Sequence, residues 1–76
     1  MGEKKVCRYP VVIEKARGNF SAYSPDLPGC AATGKTIPEA LKRMHDAILF
    51  HIKGLQEEGL DLPESSTRIE YIEISV

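Results

Sequence analysis

The sequence predicts an α+β fold in which one helix packs on one face of a four-stranded mixed sheet. Three observations lead to this prediction. Polar and apolar residues alternate from Cys7 to Ile13, a helix-start signal at Thr36 opens a long amphipathic stretch, and a second alternating segment runs from Arg68 to Val76. A period of two is typical of half-buried strands, whereas apolar residues every three or four positions indicate a helix. The predicted element order is therefore βββαβ.

The first two strands form a predicted hairpin. One face of the first strand carries Cys7, Tyr9, Val11 and Ile13. Pro10 has no amide donor, so we expect it near the start of this strand or on an unpaired side. Turn residues at positions 16–19 lead into a second strand from Phe20 to Ser24. A short third strand is expected around residues 30–33, after a turn that contains two prolines and a glycine.

The helix has clear signals at both ends. Thr36 can cap its first turn, Glu39 can reach back to the amide of the cap, and Pro38 is tolerated in a first turn. Gly59 is suited to the position just past the last turn. One apolar stripe is expected to face the core, and it consists of Ile37, Leu41, Met44, Ile48, Ile52 and Leu55.

The last strand is predicted to be apolar on both faces. Ile72, Ile74 and Val76 share one face, and Ile69 and Tyr71 share the other. The helix would then serve as a right-handed crossover into this strand, and the second face of the sheet would have no cover. We therefore expect a homodimer or larger oligomer that buries at least about 1,000 Å².

Composition indicates one small globular domain that spans residues 1–76, with its core in residues 6–76. Apolar residues make up 42% and charged residues 28% of the chain, which argues against disorder. No apolar run approaches the roughly 18 residues of a membrane span, so we expect a cytoplasmic protein. Cys7 and Cys30 lack the second pair that a zinc site needs, and they are expected to be buried free thiols. A disulfide or a redox role stays open for them.

Charge is unevenly distributed along the chain. Residues up to Lys35 include six Lys or Arg against three Asp or Glu (+3), and the remainder includes four against eight (−4), which gives the net charge of −1. The acidic half could face a basic partner. It could equally be an ordinary solvated surface, and both interpretations stay open.

We expect no catalytic residue, no metal site and no cofactor. Two-metal nuclease chemistry needs several carboxylates around ions about 4 Å apart. Glu14 in the first strand, with Glu70 and Glu73 on opposite faces of the last, does not make such a cluster. His45 and His51 are six positions apart on the helix and fit no metal-binding spacing.

Two surfaces are candidates for contact with a partner or with another copy. On the helix, Phe50 is predicted on the polar face with Gly54 one turn later, and Glu57 and Glu58 follow at the end of the helix. The second candidate is the loop of Pro25, Asp26, Leu27, Pro28 and Gly29. The alternatives are a lone exposed aromatic and a rigid connector between strands.

Three sequence blocks resemble the N-terminal domain of HicB-type antitoxins. They are residues 9–14 (Tyr-Pro-Val-Val-Ile-Glu), residues 25–30 (Pro-Asp-Leu-Pro-Gly-Cys) and residues 34–40 (Gly-Lys-Thr-Ile-Pro-Glu-Ala), with Leu62-Pro63 further on. The resemblance implies a partial ribonuclease-H-like βββαβ fold. It also implies a binding module that neutralises a small basic HicA-type mRNA-cleaving toxin by occlusion.

Full antitoxins of this family usually append a DNA-binding segment. None is found in the sequence up to Val76, so we do not expect direct DNA binding, and no membrane association is expected either. The alternative function is a stand-alone homo-oligomeric domain with a regulatory or small-ligand-binding role and no cognate toxin.

Overall fold

The computed structural model describes residues 6–76, and the first five residues of the predicted domain lie outside this range. Three strands precede one helix: β1 (Val12–Ala16), β2 (Asn19–Tyr23), β3 (Ala31–Gly34) and α1 (Ile37–Glu57). The strands form an antiparallel sheet in the order β1-β2-β3, and α1 packs against β3 and β2. The predicted α+β class and the order of these four elements are confirmed.

The first hairpin begins later than the alternating pattern suggested. β1 starts at Val12 and not at Cys7, because Pro10 cannot donate a hydrogen bond to a ladder. The strand then continues to Ala16, which is paired with Asn19 across a two-residue turn. The register places Ile13 beside Ala22, and Ala22 beside Ala32.

The core lies between this row of the sheet and the helix. Ala22, Leu27, Cys30, Ala40 and Met44 are buried, and Leu27 and Met44 are the largest side chains that are fully enclosed. Half-buried side chains surround them, namely Tyr9, Val11, Ile13, Phe20, Ala32 and Ile48. The opposite face of the sheet carries the polar row Glu14, Ser21 and Thr33, so this face can be exposed to water.

Helix α1 begins as predicted, with one difference in its cap. The Thr36 hydroxyl accepts a hydrogen bond from the Glu39 amide at 3.2 Å. The Glu39 carboxylate accepts one at 3.3 Å from the amide of Lys35, one residue before the cap, and not from the amide of Thr36. Glu39 also forms an ion pair with Arg43 at 3.2 Å.

The helix face that is buried in the structure is rotated relative to the apolar stripe that the sequence predicted to face the core. Ala40 and Met44 are fully buried, whereas Ile37 and Leu41 are each 44% exposed and line the edge of the contact. The reason is the close approach of β3, since a Cβ atom on Gly34 would lie 2.5 Å from the Ala40 amide nitrogen. The closest contact with the sheet therefore passes through Ala40.

The C-terminal end of the helix forms a Schellman motif. The Gly59 amide donates to the Gln56 carbonyl at 3.1 Å, and the Leu60 amide donates to the Leu55 carbonyl at 2.9 Å. Gly59 has a φ of +71°, a conformation that glycine adopts without a steric penalty. The predicted role of Gly59 is confirmed.

The predicted fourth strand and the mixed sheet do not form within residues 6–76. The sheet of these residues has three strands, all antiparallel, and residues 68–76 pair with none of them. We call residues 68–76 the tail segment. Tyr71 is 93% exposed and Ile72 is 85% exposed, and an open groove is lined by Ile69 and Tyr71 of the segment together with Val12 and Ile13 of β1. Within residues 6–76 the helix therefore does not connect two paired strands of the sheet.

The two cysteines are in different environments. Cys30 is buried and free, as predicted, and burial raises the pKa of its thiol. The prediction for Cys7 was wrong, because Cys7 is free but exposed. It precedes β1 in a stretch that forms no ladder, so the alternation that placed it on the core face does not extend to it.

Candidate functional site

The loop between β2 and β3 holds the C-terminal part of the chain in place through Asp26. Its carboxylate accepts hydrogen bonds from the Ser65 hydroxyl (3.3 Å), the Ser66 hydroxyl (3.2 Å), and the Thr67 amide (3.3 Å) and hydroxyl (2.8 Å). We call this set of bonds the Asp26 clasp. Partial desolvation raises the pKa of Asp26, but the hydrogen bonds from Thr67 and Ser66 outweigh it and hold the pKa below its ordinary value.

A second bond fastens the same segment nearer the helix. The Tyr9 hydroxyl donates to the Pro63 carbonyl at 2.7 Å, which joins the stretch before β1 to the stretch after α1. Desolvation, and then the neighbouring Cys7 and Asp26, raise the pKa of the Tyr9 phenol. The phenol therefore stays protonated at neutral pH and keeps its donor.

The loop of residues 25–29 divides into internal and exposed parts. Leu27 is completely buried, and its amide and carbonyl bond to Ser24 and Cys30. Asp26 is committed to the clasp, whereas Pro25, Pro28 and Gly29 are exposed. The hypothesis of partner contact at this loop narrows to these three exposed residues, because the other two act within the chain.

The helix carries a second candidate surface, which we call the Phe50 face and define by Phe50, Gly54, Glu57 and Glu58. Phe50 is 82% exposed, and Glu57 and Glu58 are exposed as well. A Cβ atom on Gly54 would meet nothing within 4 Å, so the surface beside Phe50 is open. The last turn of the helix holds no basic residue, so these two acids are not offset there.

The remaining candidate acids and histidines lie apart from one another within residues 6–76. Across residues 6–76, no three His, Cys, Asp or Glu side chains lie close enough to hold a metal ion. Glu14 is on the sheet face away from the helix, and Glu70 and Glu73 are in the tail segment. His45 contacts Asp46 at 3.2 Å on the exposed helix surface. No helix in this part of the chain is long and apolar enough to cross a membrane.

Sequence reasoning missed the Asp26 clasp. Asp26 was assigned only to a turn or to a contact loop, and the Ser65-Ser66-Thr67 run was treated as a connection. An acid beside a turn and a run of three hydroxyl residues are a weak signal for such a bond, because 41 positions separate Asp26 from Thr67.

Comparison with known proteins places this architecture in a family. A family model described as the HicB-like antitoxin of bacterial toxin–antitoxin systems matches residues 9–75. The chain belongs to the HicB-like antitoxin family. The match begins at Tyr9 and includes both candidate surfaces, the Asp26 clasp and nearly all of the tail segment.

Two solved structures share the fold of this HicB-like chain. One is the crystal structure of the N-terminal domain of the Burkholderia pseudomallei antitoxin HicB, with 33% identity and a TM-score of 0.66 over 78% of this chain and 70% of that one. The other is a HicA3 and HicB3 toxin–antitoxin complex, with 35% identity and a TM-score of 0.64 over 79% of this chain and 70% of the matched chain.

Curated relatives of the HicB-like chain differ in length. A 14.9 kDa protein from the rep-hol intergenic region of Haemophilus phage HP1 is 41% identical over 64 residues, and the chain spans about half of that protein (48%). A UPF0150 protein of Synechocystis is 31% identical and matched over 94% of its length. A UPF0150 protein of Helicobacter pylori is 35% identical and matched over 90%.

Proposed function

We propose that this HicB-like chain neutralises a small RNA-cleaving toxin of the HicA type by occluding the surface with which the toxin grips RNA. The observation that carries the proposal is the similarity to a chain of a HicA3 and HicB3 toxin–antitoxin complex, at 35% identity over 79% of this chain. Membership of the antitoxin family supports it further. The proposed action is binding and involves no chemistry on RNA by this chain.

The Phe50 face is the surface that we assign to the toxin. An exposed aromatic side chain beside an open helical glycine can enter a pocket on a partner while the two backbones approach closely. Gly54 destabilises the isolated helix by about 1 kcal/mol relative to alanine. A glycine kept at this cost is consistent with close contact by a partner protein at this position. The exposed residues of the loop at Pro25, Pro28 and Gly29 are a secondary candidate for the same contact.

Charge supports this assignment. A toxin that binds RNA must present Lys and Arg to the phosphates. An inhibitor that covers such a surface gains association rate and orientation from complementary charge. Glu57 and Glu58 lie at the C-terminal end of a helix, where acids oppose the helix dipole and the last turn holds no basic residue.

The first experiment tests the aromatic anchor. The partner is the product of the reading frame next to this chain, if that frame encodes a short basic protein. We expect Phe50→Asp to weaken its binding at least about tenfold while the far-UV circular dichroism stays unchanged. His45→Asp is the matched control, because it places the same residue on an exposed position of the same helix, about 140° around the axis. Equal affinity for wild type and Phe50→Asp would remove the Phe50 face from the proposal.

The second experiment tests the charges. The association rate should fall as salt rises. The double variant Glu57→Lys, Glu58→Lys should slow association more than it speeds dissociation. The control is Glu14→Lys, Glu64→Lys, which changes the net charge equally at positions outside α1. Salt-independent association, with both double variants alike, would show that the acids of the Phe50 face do not steer the toxin.

A second function is favoured by the lengths of two relatives. The UPF0150 proteins of Synechocystis and Helicobacter pylori are matched over 94% and 90% of their lengths, so the domain makes up almost all of each. We propose as the alternative a homo-oligomeric regulatory or ligand-binding domain without a toxin. A neighbouring frame that encodes no short basic protein would favour this alternative.

A further inference from the structure

We propose that the tail segment of one copy adds as a fourth strand along the free edge of β1 in a second copy, and that the second copy does the same in return. The tail segment follows Thr67 directly, lies in no helix, and pairs with no strand within residues 6–76. This proposal concerns contact between copies and does not depend on the toxin.

The tail segment has the composition of a strand that belongs in a sheet. Apolar residues dominate it, and Ile72, Ile74 and Val76 alternate with Glu73 and Ser75. β-branched and aromatic residues favour strands. In this chain Tyr71, Ile72 and Ile74 are all exposed. An exposed apolar strand with unpaired backbone groups is a template for pairing with another chain.

The edge of β1 is the acceptor. Among residues 6–76, β1 pairs only with β2, so its outer edge is open to this part of the chain. An open groove of about 990 Å³ begins beside the first two residues of β1 and continues along residues 8–11, and its lining includes Tyr9, Val11 and Ile13 from this part of the chain and Ile69 and Tyr71 from the tail segment. The tail segment of the same chain therefore forms a wall of the groove and does not fill it. A second strand can enter the groove and extend the sheet beyond β1.

Charge favours a second copy of this chain over a basic partner. Arg8 lines the groove, and Lys15 and Arg17 lie at the far end of β1 and in the turn that follows. The tail segment carries Glu70, Glu73 and Arg68, which lines the groove and forms an ion pair with Glu70 at 2.7 Å, so the segment has a net charge of −1 and Glu73 is its unpaired acid within residues 6–76. A basic protein would be repelled by the cations near β1, whereas the acidic tail segment of another copy is complementary to them. Because the exchange is reciprocal, the dimer contains this match twice, once at the β1 edge of each copy.

Surface area is consistent with an exchange of this size. A compact chain of 8.4 kDa should expose about 4,600 Å², whereas this chain exposes 6711 Å². The excess is roughly 2,100 Å², of which the five undescribed residues could contribute at most roughly 800 Å² even if fully extended. Two copies could thus bury on the order of 2,600 Å², which lies in the range of permanent homodimers. Exchange of identical elements is a low-cost route to such a dimer.

The decisive experiment locates the tail segment in solution. Equal amounts of ¹³C-labelled and unlabelled full chain are mixed, and isotope-filtered NOEs are recorded together with the sedimentation mass. We expect a dimer with NOEs between copies that join the methyl groups of Ile72 and Ile74 to those of Val11 and Ile13. A species of 8.4 kDa at micromolar concentration would overturn the proposal. So would an oligomer whose tail NOEs all arise within one chain.

Matched variants separate the tail segment from the helix surface. Ile72→Asp, Ile74→Asp should raise the dimer dissociation constant at least about a hundredfold, because it would bury carboxylates in an apolar groove. Truncation after Thr67 should give a monomer with the helical circular dichroism retained, and it serves if the double variant fails to fold. Phe50→Asp is the control on a similarly exposed apolar side chain and should leave the dimer intact. Dissociation by Phe50→Asp, with a truncated chain that still dimerises, would refute the exchange.

Discussion

The contact between Gly34 and Ala40 makes a quantitative prediction about Gly34→Ala. A Cβ atom at this position would lie 2.5 Å from the Ala40 amide nitrogen and 2.9 Å from its Cα, and both are backbone atoms that cannot swing aside. Restoring an ordinary contact of 3.4 Å requires β3 and the first turn of α1 to separate by about 0.9 Å (3.4 − 2.5). Gly34 is not among the glycines with positive φ, so the penalty is one of space alone.

The magnitude follows from what such a separation does to the core. A gap of 0.5 to 1 Å forfeits about a quarter to a half of the dispersion attraction across it, and Ala40 and Met44 lie on that interface. Overpacking of this kind costs about 1–3 kcal/mol. Alanine also lowers the conformational entropy of the unfolded chain, and this effect stabilises the folded protein by about 0.4–1 kcal/mol. We expect a net loss of about 1–2 kcal/mol in the free energy of unfolding. Each kcal/mol lost should lower Tm by roughly 4–8 °C in a domain of this size.

Gly54→Ala is the matched control, since it makes the same chemical change where a Cβ atom meets nothing within 4 Å. We expect it to stabilise the protein by about 1 kcal/mol, because alanine is the better helix former. Both variants are compared with wild type by urea unfolding at one protein concentration, because association contributes to apparent stability. A Gly34→Ala variant as stable as wild type would refute the close approach of β3 and α1.

Three further predictions concern the clasp, the thiols and the absence of catalysis. The folded pKa of Asp26 is lowered, so the clasp stabilises the fold above the ordinary carboxyl pKa of 3.8 and is lost as pH falls through the lower folded value. The protection factor of the Thr67 amide, which compares its exchange with that of an unstructured amide at the same pH, should fall on that acidification, and at neutral pH in Asp26→Ala; an unchanged protection factor in the variant would contradict the clasp. Cys7 should react with a maleimide before Cys30, because Cys30 is buried and its thiol pKa is raised; the reverse order, seen by mass spectrometry, would count against the placement of both. Purified protein with magnesium or manganese should not cut RNA or DNA, and turnover that disappears in Glu14→Gln would show that this expectation was wrong.

Local signals predicted the elements well, and contacts between distant residues decided the rest. Thr36 and Gly59 mark the ends of α1 through bonds that span only a few residues, so the sequence indicates both. The rotation of the helix about its axis was misjudged, because it depends on where Gly34 approaches Ala40 in space. Alternation could suggest a strand at the end of the chain, but the pattern carries no information about whether that strand pairs with the open edge of β1 in the same chain.

The same distinction applies to the candidate site. Phe50 was predicted to be exposed from its position around the helix axis, and the structure agrees. It lies far around the axis from the core stripe, so a small error in the predicted rotation of the helix does not bring it into the core. Asp26 could not be assigned correctly, since a carboxylate in a turn has the same sequence signature whether it faces a partner or its own chain. Leu27 was assigned to a contact loop although it is a core residue, because a single apolar residue between prolines has no periodicity to reveal its direction.

The position of the Asp26 clasp has a kinetic consequence. It immobilises residues 65–67, and everything after Thr67 is free of intramolecular ladder bonds in the part of the chain that the structure describes. A strand that leaves one neighbour for another would pivot at this point, without opening the helix–sheet interface. Subunits joined in this way should therefore trade partners at a rate set by the loss of one strand, well below the barrier for global unfolding. In a cell, old and newly made copies could then mix into common assemblies while each remains folded.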